Sequence, residues 1–258
     1  MKNSKEYSTK IAKLFRELKQ KHSKAKKPVY DDPIESLIFA VIRENCSQTA
    51  TKPLMRKLQK YFVDFNELRV SKTEEIMEVL GSNGDDFHKA ADSIKVTLGS
   101  IFGKYNTLDL SELKDMGKKL AKKELEGLEI SRFALNYCFV TFLGGHAIPL
   151  TEKMVEYLRS EKLVYPDSTI EQIEGFLERQ ITAAKGFFFY SALNKECQKN
   201  KKPKKKTAVK SKKTTAKTET KTAETKKAKA KAKTKKKTAT GKNTNAKAKT
   251  KKKVKNKK

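Results

Sequence analysis

Residues whose types and spacing suit chemistry lie in the stretch GGHAIPLTEKMVEYL, from Gly144 to Leu158. Its glycine pair and Pro149 predict a loop, and Thr151 followed by Glu152 predicts the start of a helix. Glu152 supplies a carboxylate, although the helix dipole favours any acid in a first turn. Thr151 suits an N-cap hydroxyl. His146 suits acid–base chemistry or, more commonly for a loop histidine, a hydrogen bond.

Two other stretches carry candidate side chains. Cys46, in RENCSQTA, has no histidine close to it in sequence, so a small buried side chain is favoured over a nucleophile. The aromatic run from Phe187 to Tyr190 offers a stacking platform for unpaired bases or, more commonly, a piece of the core. The three cysteines form no C-x-x-C pair, so we expect no disulfide framework, no metal and no cofactor.

The elements that must position these residues are helices. Apolar residues recur at intervals of three and four through the first 200 residues, and this period predicts an all-α fold. The stretch DPIESLIFAVI opens on Pro33 and is apolar on nearly every face, which indicates a central buried helix. Capping-box patterns at Ser71–Glu74 and Ser168–Glu171 predict two helix starts. Further helices are predicted around 11–18, 54–62, 86–102, 111–122, 132–143 and 152–158.

Charge divides the chain into a body and a tail. The net charge is +30, yet 27 of the 60 basic residues and only 2 of the 30 acids lie between Lys201 and Lys258. The only large apolar residues of that segment are Val209 and Val254, so we expect it to be disordered. Its composition is similar to that of linker-histone tails, which predicts binding to phosphate with little sequence preference. A solubility tail and an anionic-membrane tether are the alternatives, and the tether is disfavoured because the segment has no apolar face.

The same patterns predict location and domain organisation. No apolar run reaches the roughly 20 residues that span a bilayer, and MKNSKEYSTK lacks the apolar core of a secretory signal. We therefore expect an intracellular protein without a membrane partner or an obligate protein partner. The expected parts are an N-terminal helix and linker at 1–30, a helical domain at 31–198 and a disordered Lys-rich tail at 199–258.

Three stretches of the body resemble the helix-hairpin-helix DNA glycosylases related to endonuclease III. The core helix and damaged-base-pocket loop of that family resemble DDPIESLIFAVIRENCSQTATKPLMRKL. Its hairpin, second hairpin helix and catalytic loop resemble LEISRFALNYCFVTFLGGHAIPLTEKMV, and a later helix resembles TIEQIEGFLERQI. The resemblance covers about Asp31 to Gln180 and implies a two-lobed helical bundle that binds double-stranded DNA.

The second of these stretches aligns without a gap on the family pattern P-G-V-G-x-K-T-A, F-G and I-x-V-D-T-H. In this alignment Thr151 stands at the position of the catalytic Asp and Phe133 at that of the lyase Lys, and the family's separation of 18 residues is preserved. The two hairpin glycines, whose amides approach a DNA phosphate, correspond to Glu129 and Ser131. Asn45 corresponds to an amide that fills the gap left by a flipped base, and a helix C-cap is an equal alternative.

The resemblance therefore implies the fold without its usual chemistry. Base excision needs a carboxylate near the sugar, and strand opening needs a Lys that forms a Schiff base. Thr151 and Phe133 supply neither, and the substitute acid Glu152 points about 100° away from Thr151 on a helix. The iron–sulfur cluster of many family members is not expected, because only Cys197 lies beyond Cys138.

Three functions follow from the sequence, and the first two are of different class. The first is a non-catalytic DNA-binding relative of the glycosylases, and the joint loss of Asp, Lys and both hairpin glycines favours it. The second is an active DNA glycosylase with Glu152 as its relocated acid, and a third is a nucleoid-organising protein whose body contacts other proteins. The residues predicted to contact DNA are Asn45, Ser131, Arg132, Lys201, Lys202, Lys204, Lys205, Lys206, Lys235, Lys236, Lys237, Lys251, Lys252 and Lys253.

Removal of Lys201 to Lys258 should lower the affinity for random duplex DNA by orders of magnitude at low salt. Each Lys that meets a phosphate releases a counterion, which contributes about 0.9 to the slope of log K against log salt. Salt titrations of the full-length and truncated chains measure that slope. Equal slopes for the two chains would show that the tail does not contact phosphate.

Overall fold

The computed structural model describes residues 4–22, 25–81 and 84–199, and every regular element in these ranges is helical. The all-α prediction is therefore confirmed for this part of the chain. The predicted disorder of the Lys-rich tail concerns residues outside the described ranges. The helices are α1 (Ser4–Lys21), α2 (Pro33–Asn45), α3 (Gln48–Tyr61), α4 (Phe65–Val70), α5 (Thr73–Leu80), α6 (Asp85–Tyr105), α7 (Lys118–Glu126), α8 (Arg132–Thr141), α9 (Glu152–Ser160), α10 (Ile170–Gln180) and α11 (Ala183–Lys199), with a 3₁₀ helix at Ser111–Lys114.

Helix α2 lies at the centre, as its apolar sequence predicts. The Asp32 carboxylate accepts a hydrogen bond from the amide of Ile34 at 2.7 Å, and Pro33 occupies the first turn, where no amide is needed. Helix α2 packs against α3, α6 and α8. A buried hydrogen bond of 2.9 Å between the hydroxyls of Ser36 and Thr141 joins it to α8. The helix is thus enclosed on several sides at once, which is why it is apolar nearly all round.

The helices form two groups. One group contains α2 to α8, and the other contains α1, α9, α10 and α11, in which α1 packs against α10 and α11 and α9 packs against α11. The second group is therefore built from both ends of the described chain. None of the described helices combines the length and the apolar character that crossing a membrane requires.

Aromatic side chains join the two groups. Tyr137 of α8 lies 5.9 Å from Tyr190 and 6.4 Å from Phe187, both of α11, between ring centroids. Phe133 lies 5.9 Å from Tyr190. Phe189 and Tyr190 are buried, so the aromatic run of α11 is part of the core, the more common of its two predicted roles. Large aromatic surfaces removed from water at this contact hold the groups together.

Several predicted helix boundaries are wrong, and local hydrogen bonds explain them. Ser71 does not open α5, because its hydroxyl donates to the carbonyl of Glu67 and closes α4. The capping box of α10 is formed by Thr169 and Gln172, one residue later than predicted. The helix predicted at 111–122 is interrupted before α7, where Gly117 has a φ of −58° and a non-helical ψ of 141°.

The loop before α9 is fixed by close contacts. Gly144 has a φ of 62°, a conformation that side chains disfavour. The amide of Gly145 donates to the carbonyl of Phe139 at 2.8 Å, and a Cβ on Gly145 would lie 2.2 Å from the Phe139 ring. His146 is joined through Nε2 to the carbonyl of Ile181 at 2.9 Å, which matches the hydrogen-bonding role. These contacts set the direction in which the chain enters α9.

Gly145→Ala should lower the free energy of unfolding by about 1–3 kcal/mol, because the added methyl group collides with a packed aromatic ring. Gly99→Ala is the matched control, since a Cβ on Gly99, inside α6, would meet no described atom within 4 Å beyond the helix's own backbone. That control should gain about 0.5–1 kcal/mol from helix propensity. Urea denaturation followed by circular dichroism measures both changes, and a Gly145→Ala variant as stable as wild type would contradict the packing described.

Candidate nucleic-acid cleft

A cleft lies where the end of α2 meets the beginnings of α6, α8 and α9 and the last turns of α11. It contains two adjoining pockets. The Arg43 pocket has a volume of about 360 Å³ and is lined by Arg43, Glu44, Asn45, Cys46, Ser47, Asp86, Thr151, Lys153, Met154, Asn194, Cys197 and Gln198. The Ser131 pocket has a volume of about 450 Å³ and is lined by Glu44, Asn45, Asp86, Lys89, Ser93, Ser131, Thr151, Glu152 and Lys153.

Thr151 lines both pockets and is the N-cap of α9. Its hydroxyl accepts a hydrogen bond from the amide of Met154 at 3.4 Å. The residue that aligns with the family's Asp therefore lies at the cleft, but it presents a hydroxyl that already serves the helix start. An uncharged hydroxyl cannot stabilise positive charge on a sugar as a carboxylate does.

Phe133 lines neither pocket. Its side chain is 1 % exposed and packs against Tyr137 and Tyr190 in the aromatic contact between the helix groups. The residue predicted to align with the family's lyase Lys is therefore part of the core in this structure. A Lys at this position would bury an unpaired charge.

Three acids, Glu44, Asp86 and Glu152, line the pockets beside Thr151, and Glu44 differs in environment from Glu152. Glu152 is exposed in the first turn of α9 and lines only the Ser131 pocket. Glu44, at the end of α2, is half-buried, lines both pockets and accepts a hydrogen bond from the Ser131 hydroxyl at 2.5 Å. Burial raises the pKa of Glu44, the hydrogen bond from Ser131 opposes this, and the charge of Glu152 raises it further.

Neither Glu44 nor its neighbour Arg43 was predicted from the sequence as a site residue. The available signal was a charged pair at the end of a helix that is otherwise apolar on nearly every face. Arg43 is buried, and its Nε donates to the hydroxyl of Tyr190 at 3.2 Å. The convergence of these side chains with Lys153 and Asn194 depends on helices far apart in sequence, so it becomes visible only in the folded chain.

The hairpin residues already have protein partners. The Ser131 hydroxyl accepts from the amide of Ala134 at 3.1 Å and donates to Glu44, so it caps α8. Arg132 donates through Nε to the buried Glu174 carboxylate at 2.6 Å. The predicted DNA contacts through Ser131 and Arg132 therefore require a phosphate to share or replace these partners.

Asn45 makes a helix-end hydrogen bond at the cleft, and its role towards a flipped base stays a prediction. Its Nδ2 donates to the carbonyl of Val41 at 3.0 Å near the end of α2, and the residue lines both pockets. Lys89 and Lys153 are exposed cations at the cleft. The predicted tail contacts, Lys201 to Lys253, lie outside the described residues.

The thiols of the cleft are unsuited to nucleophilic chemistry. Burial raises the pKa of Cys46 to about 11 and that of Cys197 to about 12, so both are protonated near neutral pH. Across the described ranges, no group of three or more His, Cys, Asp or Glu side chains could hold a metal ion.

Glu44→Gln should stabilise the protein at pH 7 relative to wild type. Because the folded-state pKa of Glu44 is raised above its ordinary value of 4.5, ionisation opposes folding at pH values above the folded pKa, and this effect disappears below 4.5. The stability gain of the variant should therefore shrink as the pH falls from 7 towards 4. Thermal melts at several pH values measure it, with the exposed Glu78→Gln of α5 as the control. A gain that is independent of pH would contradict the buried setting of Glu44.

Comparison with known proteins gives the fold a precedent. No protein-family model and no curated protein sequence matches the chain. A trapped endonuclease III–DNA covalent intermediate is similar with a TM-score of 0.56 and 15% identity, over 72% of this chain and 84% of that one. The Clostridium acetobutylicum 8-oxoguanine glycosylase/lyase in complex with dsDNA has a TM-score of 0.57 and 15% identity, over 78% of this chain and 71% of that one. The H. pylori 3-methyladenine DNA glycosylase has a TM-score of 0.55 and 16% identity, over 75% and 98%. The chain therefore has the fold of the endonuclease III-like DNA glycosylases.

Proposed function

We propose that this protein binds double-stranded DNA through the cleft and the Lys-rich tail, without excising bases by the chemistry of the glycosylases that share its fold. The observation that carries the proposal is the cleft at Thr151, between the two helix groups. Structures with this fold include an endonuclease III and an 8-oxoguanine glycosylase/lyase, both bound to DNA. Asn45 and the cations Lys89 and Lys153 line the Ser131 pocket of this chain.

The charges divide the binding between body and tail. The Ser131 pocket holds three carboxylates, Glu44, Asp86 and Glu152, and two lysines, so the cleft attracts phosphate only weakly. The segment from Lys201 to Lys258 holds 27 lysines, and these provide the sequence-independent affinity. In this arrangement the tail holds the duplex and the cleft distinguishes among local DNA structures. Such a role places the protein with the genome inside the cell.

The chemistry of the cleft supports a binding role. In the sequence alignment, the position of the family's carboxylate corresponds to Thr151, an N-cap hydroxyl, and the position of its Lys corresponds to the buried Phe133. One placed carboxylate contributes several kcal/mol to such a reaction, and each 1.4 kcal/mol is roughly tenfold in rate. Loss of both groups removes the charge stabilisation and the Schiff-base route together.

A second candidate function is base excision with a relocated acid. The location of Glu44 favours it over the exposed Glu152, because Glu44 lines both pockets beside Thr151 and burial raises its pKa. A carboxyl group with a raised pKa is suited to general acid or base catalysis. The structural role of Glu44, as the acceptor for the Ser131 hydroxyl at the start of α8, accounts for the same position without catalysis.

Wild-type protein should release no base above background from a panel of lesion-bearing duplexes, scored by strand cleavage after alkali. Thr151→Asp should yield weak excision, because Asp is a good N-cap residue and places a carboxylate at the cleft. Thr151→Ser is the matched control, since it keeps the hydroxyl and adds no charge.

Robust excision by wild type would overturn the binding-only function. In that case Glu44→Gln and Glu152→Gln identify the acid, because base release is abolished only when the catalytic carboxylate is replaced by an amide. DNA binding by each variant, measured by fluorescence anisotropy, separates lost chemistry from lost affinity.

A further inference from the structure

We infer that the Arg43 pocket accepts an unpaired guanine-type base, with Arg43 donating to the base's O6 and N7 atoms and Glu44 accepting from its N1–H and 2-amino groups. This inference rests on the proposed binding of DNA and assigns the kind of base that the cleft selects. It requires an intact O6/N7 edge, so it differs from recognition of 8-oxoguanine, which carries a hydrogen on N7.

The buried environment of Arg43 is the first observation that supports this inference. Its side chain is 6 % exposed, and its Nε donates a hydrogen bond to the Tyr190 hydroxyl. Within the described ranges, no carboxylate forms an ion pair with it, and its two terminal nitrogens have no hydrogen-bond partner. These nitrogens keep some exposure to solvent, and Arg43 lines the pocket. A buried cation without a partner is unfavourable unless a ligand or water meets it.

The charges around the pocket decide between an anion and a neutral ligand. Two cations, Arg43 and Lys153, face two carboxylates, Glu44 and Asp86, among the lining residues. A phosphate would be attracted by the first pair and repelled by the second. A neutral group that carries acceptors on one edge and donors on another satisfies both, and nucleobases are ligands of this kind.

Guanine is the base whose edges match these groups. With Nε held by Tyr190, the two terminal nitrogens of Arg43 form a fork that fits two adjacent acceptors in one plane. Guanine presents such a pair, O6 and N7, and arginine is its usual partner. Its N1–H and 2-amino groups are adjacent donors that suit a carboxylate such as Glu44. Adenine carries its 6-amino donor beside N7, so one of the two donor nitrogens of Arg43 would face another donor.

An unpaired base meets the physical requirement for entering the pocket. Removing a base from the duplex stack costs least when the base has no Watson–Crick partner. Guanine opposite an abasic site or in a mismatch therefore reaches the pocket more readily than paired guanine. The pocket adjoins the Ser131 pocket through shared residues such as Asn45 and Thr151, so a base and its backbone have neighbouring spaces.

The experiment compares duplexes that differ in one base. Full-length protein binds a fluorescent duplex with guanine opposite an abasic-site analogue. Unlabelled duplexes with guanine, 7-deazaguanine, hypoxanthine, 8-oxoguanine or adenine at that position compete. Tail contacts to phosphate are equal for all of them, so affinity ratios report on the pocket. We expect guanine to bind about tenfold more tightly than 7-deazaguanine, which lacks the N7 acceptor, and several-fold more tightly than hypoxanthine, which lacks the 2-amino group.

Variants assign the two edges of the base. Arg43→Gln should reduce the ratio of the affinities for the guanine and 7-deazaguanine duplexes to about one. Glu44→Gln should reduce the ratio of the affinities for the guanine and hypoxanthine duplexes, and it should leave the guanine to 7-deazaguanine ratio unchanged. Arg56→Gln is the matched control, because Arg56 is exposed on α3 and lines neither pocket of the cleft. Thermal melts of the helical signal establish whether each variant is folded. If Arg43→Gln does not fold, the affinity ratios measured with wild-type protein test the inference.

Each other outcome overturns the inference. Equal wild-type affinity for all duplexes would leave DNA binding intact and refute guanine selection. An unchanged ratio in folded Arg43→Gln would refute the role of that residue. Thermal stabilisation by inorganic phosphate that Arg43→Gln abolishes, without base preference, would identify an anion site. Failure to bind any duplex would refute the proposed function itself, together with this inference.

Discussion

The packing of α2 against α8 is the contact on which the rest of the structure depends. Both helices are buried along most of their length, so each is stable only when other elements enclose it. Helix α2 is enclosed by α3, α6 and α8, while aromatic residues of α8 contact α11 of the second group. The cleft forms at one end of this pair, where α2 finishes and α8 starts, so the orientation of the pair sets the cleft's walls.

Polar groups buried near this contact fix how the two helix groups meet. Glu174 of α10 accepts hydrogen bonds from Arg132 at 2.6 Å and from Asn136 at 2.9 Å, both of α8. Arg43 of α2 donates to Tyr190 of α11. Apolar packing alone tolerates small slides between helices, whereas a buried polar group left without its partner is costly. These bonds therefore select one arrangement of the groups, and that arrangement places Arg43 at the cleft.

Side chains at and near the cleft also hold the fold together. Thr151 lines the cleft and caps α9. Phe133 contributes to the aromatic contact with Tyr137 and Tyr190, so it stabilises the core. The carboxylate of Glu44 lines the cleft and is also tied to Ser131 at the start of α8.

Much of the fold could be predicted from sequence, because helical periodicity is local. The central helix at Pro33 and the start of α9 at Thr151 follow from nearby residue types alone. The exact capping residues were harder to predict, because several residues in a row have side chains that can cap a helix. Hydrogen bonds to particular neighbours determine that Ser71 closes α4 and that Thr169 caps α10. The sequence of the aromatic run in α11 is compatible with a stacking platform for bases and with a piece of the core. Its burial against α8 shows that it is part of the core.

The sequence by itself determined the helical fold class, the division into a near-neutral body and a Lys-rich segment, and the residue types at positions 133 and 151. Only the tertiary structure decided which charged side chains meet in the cleft. Arg43, Asp86, Lys153 and Asn194 lie on different helices and converge because those helices pack around α2 and α8. The physical reason is that periodicity shows which face of each helix is buried, but not which helix packs against that face. The packing partner depends on contacts between residues distant in sequence, and it determines the surroundings of any charge at the edge of the buried face.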